Sequence, residues 1–139
     1  MLELDYAFLA DFATIQDGKL TTVGGSFTKL IASEFPSQAL IAVAGRVRCD
    51  EPEVDVIPVT VRVMSPDDVG MTVEATTELD ASEERHAPYE GHRRGIVFAL
   101  QMNLPILSAG VYTVEIDLEG TDGVDRTLKF RACLPEVGE

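Results

Sequence analysis

Apolar and polar residues alternate along this chain with a period of two, and no stretch sustains the 3.6-residue period of an amphipathic helix. Ile57, Val59, Val61 and Val63 alternate with Pro58, Thr60 and Arg62, and Met71, Val73, Ala75, Thr77 and Leu79 alternate with Thr72, Glu74, Thr76 and Glu78. Ile96, Phe98, Leu100, Met102 and Leu104 extend the set, and Tyr112, Val114, Ile116 and Leu118 share one face with Leu128, Phe130, Ala132 and Leu134 on the next segment. The pattern predicts strands near residues 3–15, 19–31, 38–49, 56–64, 71–79, 95–104, 110–118 and 126–134. Proline cannot donate to a ladder, so Pro58 predicts a sheet edge at its strand.

Turn chemistry sets the pairing. Asp17-Gly18 is a two-residue hairpin signal that places Ile15 opposite Leu20. Phe12 then meets Val23, Phe8 meets Phe27 and Leu4 meets Ile31, all three pairs on one face expected to be buried. In that register Gly25 faces Ala10 on the core side and Gly24 faces Asp11 on the other. The glycines then form a gap for close packing, with Gly25 the constrained position. The alternative is a ligand notch made of Asp11, Gly24 and Gly25. In the last hairpin a Thr121–Gly123 loop puts Glu115 opposite Lys129 and Thr113 opposite Arg131. The expected fold is all-β: a single-domain antiparallel β-sandwich of about eight strands, immunoglobulin-like or jelly-roll-like, over residues 1–139. No linker, repeat or low-complexity tract divides the chain.

Composition narrows the partners. The 139 residues are 45% hydrophobic, which is enough for one folded core. A formal charge of −13 argues against nucleic acid and anionic membranes, and makes any charged partner a basic one. The first residues, MLELDYAFLADF, lack the basic start of a secretory signal, and the apolar run ALIAVAG is too short to cross a bilayer. A cytoplasmic protein with Cys49 and Cys133 as reduced thiols is expected.

Chemistry-bearing residues collect in one connection, DASEERHAPYEGHRRG, from Asp80 to Gly95. His86 and His92 stand there among Glu83, Glu84 and Glu90, at a spacing that fits no structural or catalytic metal site. Tyr89 and the Arg93-Arg94 pair are residue types enriched in interfaces, so Tyr89, Arg93, Arg94, His86 and His92 form the candidate interface. The acidic turns, Asp117, Glu119, Asp122 and Asp125 in one and Asp50, Glu51, Glu53 and Asp55 in the other, are not EF-hand loops. Calcium needs about six to eight converging oxygens. No GxSxG, P-loop or GxGxxG motif is present, so no catalytic residue, cofactor or metal is assigned. Arg46, Arg48 and Arg62 are basic positions on strands, expected to pair with Glu74 and Glu78.

Asp5-Tyr6, Ala10-Asp11, Asp17-Gly18-Lys19-Leu20, Gly24-Gly25 and Gly110-Val111-Tyr112 together resemble an uncharacterised family of small bacterial proteins, catalogued as a domain of unknown function. The resemblance implies a bacterial, cytosolic, β-rich domain and no activity. The functional expectation is a non-enzymatic binding or assembly module that acts through a protein partner or self-association. The alternative is a small-molecule- or calcium-binding sandwich using the 80–95 loop or the acidic turns.

Overall fold

Each of the first two expected strands breaks in two. In the computed structural model, which describes residues 1–68 and 70–136, β1 (Leu2–Ala10) and β2 (Phe12–Gln16) flank Asp11. β3 (Lys19–Val23) and β4 (Lys29–Ile31) flank the crossover at residues 24–28. β5 (Ser37–Cys49), β6 (Val56–Met64), β7 (Thr72–Asp80), β8 (Arg94–Ile106), β9 (Gly110–Leu118) and β10 (Arg126–Cys133) follow. The described chain is all-β, with ten strands in three sheets: β1-β5-β8, β4-β10-β9-β6-β7, and the β2-β3 hairpin. One pair, β4 with β10, is parallel, so the arrangement departs from the expected eight-stranded antiparallel one.

The departure begins where local turn chemistry stops deciding. Asp17 and Gly18 both take positive φ, 53° and 73°, as a primed turn requires, and Ile15↔Leu20 and Phe12↔Val23 pair as expected. Beyond Val23 the chain swings away, with Gly24 at φ 64° and Ser26 at φ 62°. β1 pairs with β5 instead, and β4 with β10, so the Phe8–Phe27 and Leu4–Ile31 pairs do not form. Phe12 and Val23 lie in solvent, 44% and 61% exposed, because the opposite hairpin face, with Ala13 and Leu20, is the one that packs. A bulge at Asp5 also shifts the phase of β1. Leu4 therefore joins the core, while Phe8 packs with the outer alanine cluster.

One core unites the inner faces of the two larger sheets. Leu4, Leu9, Ile41, Val43, Val47, Ile96, Phe98 and Leu104 contribute from one sheet, and Ile57, Val59, Val61, Val63, Val114, Ile116 and Phe130 from the other. Tyr112 stacks on Phe130 at 5.2 Å and donates its hydroxyl to Ser108 O at 2.9 Å, so this buried phenol is satisfied. Three sequence expectations fail here. Pro58 does not mark an edge: β6 lies between β7 and β9, and its proline sits just beyond the last β9 pair, where its carbonyl accepts from Glu119 N–H at 3.0 Å. The last hairpin pairs Glu115 with Thr127 and Thr113 with Lys129, two residues from the expected register. Asp125 lengthens the turn by accepting from Leu118 N–H at 2.7 Å and Thr121 Oγ1 at 2.9 Å. Leu134, expected in the core, is 50% exposed.

Candidate functional site

The outer face of the β1-β5-β8 sheet carries four rows that cross all three strands. Ala10–Ala42–Gln101 and Phe8–Ala44–Ala99 lie at one end, and Tyr6–Arg46–Val97 and Glu3–Arg48–Gly95 at the other. The β2-β3 hairpin lies over the first two rows, burying Ala10, Ala13, Ala42 and Ala44 in a second, small cluster. Gln101 Nε2 donates to Ala13 O at 3.1 Å and ties the hairpin down. In the other two rows the hairpin tip at Ile15 and Gly18 shares a cleft with Val97, while Tyr6 is exposed and Arg46 and Arg48 are half-buried. These rows hold the candidate site.

The bulge organises this open half. Asp5 and Tyr6, neighbours in sequence, both reach Arg46: Arg46 Nε donates to Asp5 Oδ2 at 2.8 Å and its Nη2 bonds the same oxygen. The guanidinium lies 5.4 Å from the centre of the Tyr6 ring, a cation–π distance. Hydrogen bonding to Asp5 raises the Arg46 pKa above its ordinary value, opposed by burial and reinforced by the carboxylate charge. Arg48 pairs with Glu3 at 2.6 Å and with Asp5 at 3.6 Å. Arg46 and Arg48 thus pair within their own sheet, and of the three arginines only Arg62 takes Glu74, at 3.0 Å, together with Glu115.

The 80–95 connection closes one side of the face. Asp80 accepts from Ser82 N–H at 3.0 Å and pairs with Arg85 at 3.5 Å, and these contacts, the Ser82 backbone first, lower its pKa. Tyr89 N–H donates to Arg93 O and Arg93 N–H to Glu90 O, each at 2.9 Å, around Gly91 at φ 59°. This turn presents Tyr89 54% exposed beside Gly95, where an added Cβ would lie 3.6 Å from the ring and 3.3 Å from the Arg46 side chain. Arg93 bonds Glu90 at 3.2 Å and His92 is exposed on the same turn. His86, half-buried, helps to line a separate cleft of about 480 Å³ between the loop and the hairpin tip at Ile15 and Gly18.

Arg94 corrects the interface expectation. It is fully buried, and its guanidinium donates to Val54 O at 3.1 Å, to Glu51 O at 2.5 Å and to Ala81 O, with Cys49 Sγ at 3.6 Å. It is a clamp on two loops and cannot touch a partner. Four of the five candidates therefore stay near the surface, three of them on one turn.

The glycine notch is assembled but reversed in emphasis. Asp11 N–H donates to Val23 O at 3.0 Å and Gly24 O at 3.3 Å, and a Cβ on Gly24 would overlap the Asp11 carboxylate. Gly25 has room: its nearest neighbours would be ordinary contacts at 3.6 Å and 3.7 Å. Gly24, not Gly25, is the constrained position. Tyr6, Arg46 and Gly45 were not singled out from the sequence as parts of a site, although a glycine inside the apolar run from Ala39 signals close backbone approach.

Among the described residues no three His, Cys, Asp or Glu side chains converge as metal ligands would, both cysteines are free, and no helix is long and apolar enough to cross a membrane. No curated protein matches the chain. Two solved structures are similar to it at 17% identity and a TM-score of 0.49: a calcium-binding mutant of Bacteroides uniformis beta-glucuronidase 2, and the same enzyme covalently bound to cyclophellitol-6-carboxylate aziridine. The likeness covers 96% of this chain but 14% of theirs, and at that score it carries no argument. The family of unknown function DUF6941 matches residues 5–131, and the chain belongs to that family.

Proposed function

We propose that this protein is a non-enzymatic binding or assembly module, built as an immunoglobulin-like β-sandwich, whose contact surface is the open half of the β1-β5-β8 sheet. The observation that carries the reading is the cluster of Tyr6, Arg46 and Tyr89 there. Tyr6 and Tyr89 are 37% and 54% exposed and flank an arginine already held in place by Asp5. Tyrosine and arginine lead the residue types that dominate binding energy, and a fixed arginine loses little conformational entropy when a partner docks. The acidic chain around this cluster favours a partner with basic or neutral contact residues. A cytoplasmic setting belongs to the same reading and is supported by the two free thiols.

The test compares wild type with Tyr6→Ala/Tyr89→Ala. Light scattering reads self-association, and cross-linking in lysate reads a heterologous contact. The double variant should melt within a few degrees of wild type and lose the association that uses the Tyr6–Arg46–Tyr89 face. An association unchanged in the double variant moves the surface elsewhere, and turnover of a small substrate by the purified chain overturns the non-enzyme reading.

A further inference from the structure

The five-stranded sheet ends on a strand that is covered over only part of its length. β4 pairs with β10 at Lys29↔Arg131, Leu30↔Ala132 and Ile31↔Cys133, and the last bond is Arg131 N–H to Thr28 O at 2.8 Å. Just upstream, at Ser26, the chain leaves this lane, and the Ser26 N–H reaches Leu9 O on β1 at 2.6 Å. Residues 26–28 thus bridge the two sheets once, and among the described residues no strand lies beside Arg126–Phe130 on that side. Main-chain groups alternate along a strand, so Thr127 and Lys129 aim theirs into the same lane as Arg131. Leu9 does so from the facing edge. Between the two edges lies a groove of about 610 Å³ whose lining includes Ala7, Phe8, Leu9, Phe27, Leu128 and Lys129.

Charge marks the outer rim. Lys29, Lys129 and Arg131 are exposed on the outer face of these strands, and none forms an ion pair among the described residues. Arg46, Arg48, Arg62, Arg85 and Arg93 all have carboxylate partners. In a chain with 24 acidic residues, three adjacent unpaired cations beside an open strand edge are a local reversal of sign.

We propose that this seam takes up an extended acidic segment of a partner chain as an added strand on β10. The proposal deepens the binding-module reading and uses a second surface. Thr127 and Lys129 supply the main-chain hydrogen bonds, alternate apolar side chains enter the groove against Phe27 and Leu128, and the acidic ones face Lys29, Lys129 and Arg131. The net charge of −13 opposes such a segment at long range, but that field is screened beyond about 8 Å at physiological ionic strength, whereas the rim cations act at contact. The general expectation of a basic partner is thus inverted at this one edge.

Fluorescence anisotropy tests it with two labelled seven-residue peptides, one alternating glutamate with valine and one alternating lysine with valine. The acidic peptide should bind at least about tenfold more tightly than the basic one. Lys129→Glu/Arg131→Glu should reverse that order. Thr127→Pro removes a main-chain donor from the lane and none from the β9 ladder, so it should abolish binding with little loss of melting temperature. Equal binding of both peptides, or none at millimolar concentration, overturns the proposal. Self-association that the charge reversal breaks, without peptide binding, assigns the seam to a second copy and also overturns it. Tyr6→Ala/Tyr89→Ala should leave peptide binding intact, so the two surfaces fail or stand separately.

Discussion

One face of one sheet is treated in two ways. Over Ala10, Ala42, Ala44 and Ala99 the outer side of β1-β5-β8 carries methyl groups, and a hairpin lies directly on them. Two residues further along β5 the same face carries Arg46 and then Arg48, whose side chains stay partly exposed. A third layer lies closest to a sheet where side chains are short, and it needs a face where no charge is stripped of water. Alanine meets both conditions, and an arginine paired to a carboxylate meets neither. The covered half is therefore structural, and the open half leaves its aromatic and charged groups at the surface. The boundary falls at Gly45, beside the Asp5 bulge.

That boundary is where the largest effect is expected. A Cβ at Gly45 would lie 3.0 Å from Ala7 Cα and 3.0 Å from the Phe98 ring, and would overlap Tyr6 O. Backbone cannot give way as a side-chain tip can, so Gly45→Ala should destabilise by about 3 kcal/mol in a urea titration. A near-neutral result would mean that the bulge is not fixed and that the two halves are not distinct. Within the covered half, Ala42→Leu should cost about 2 kcal/mol by overpacking. Amide exchange should quicken in β2 and β3 while the β6–β9 ladder keeps its protection. Equal loosening everywhere would show that the hairpin is not a separate layer.

The regular strands were legible in advance, and the distinction between the halves was not. The spans of β6 and β9 follow from uninterrupted alternation, because one face of each meets a core and the other does not. The bulge at Asp5 leaves no such trace, since Leu4 and Phe8 share a parity yet end on opposite sides. Hairpin pairing was readable for the residues nearest Asp17-Gly18 and failed further out, where β5 and β10 compete for the same edges. Such competition between distant segments is not a local property. Arg94 was misread although a signal existed. It shares the parity of Ile96 and Phe98, and a charged residue in phase with a buried face is a candidate internal clamp. Tyr89 and Arg93 were legible as surface residues on a polar loop, but their nearness to Tyr6 and Arg46 comes only from the tertiary fold.

The joint between the layers gives the next, smaller effect. Gly24 sits at φ 64° against Asp11, whereas Gly25 has ordinary space around it and no positive φ. Gly24→Ala should cost about 1.5 kcal/mol from the left-handed conformation alone. Gly25→Ala should stay within about 0.5 kcal/mol, as surface substitutions do. If the melting temperatures came out in the opposite order, the crossover from the hairpin to β4 would have to run differently. The alanine-lined half would then owe its cover to something other than this turn.

The smallest effect on stability should come from the open half, and it separates the halves most directly. Arg46 is tied to Asp5 by two hydrogen bonds, but its side chain is 38% exposed, and the more buried Asp5 still has Arg48 at 3.6 Å when the pair is broken. Arg46→Gln should cost no more than about 1 kcal/mol, the range measured for exposed ion pairs. Raising the salt concentration should shrink even that, because screening weakens the wild-type pair and leaves the glutamine variant little to lose. Tyr6 should meanwhile lose its cation–π neighbour, and any association that uses this face should weaken far more than folding does. A melt showing a loss as large as that of Gly45→Ala would instead make Arg46 a structural strut, and would turn the open half into part of the scaffold.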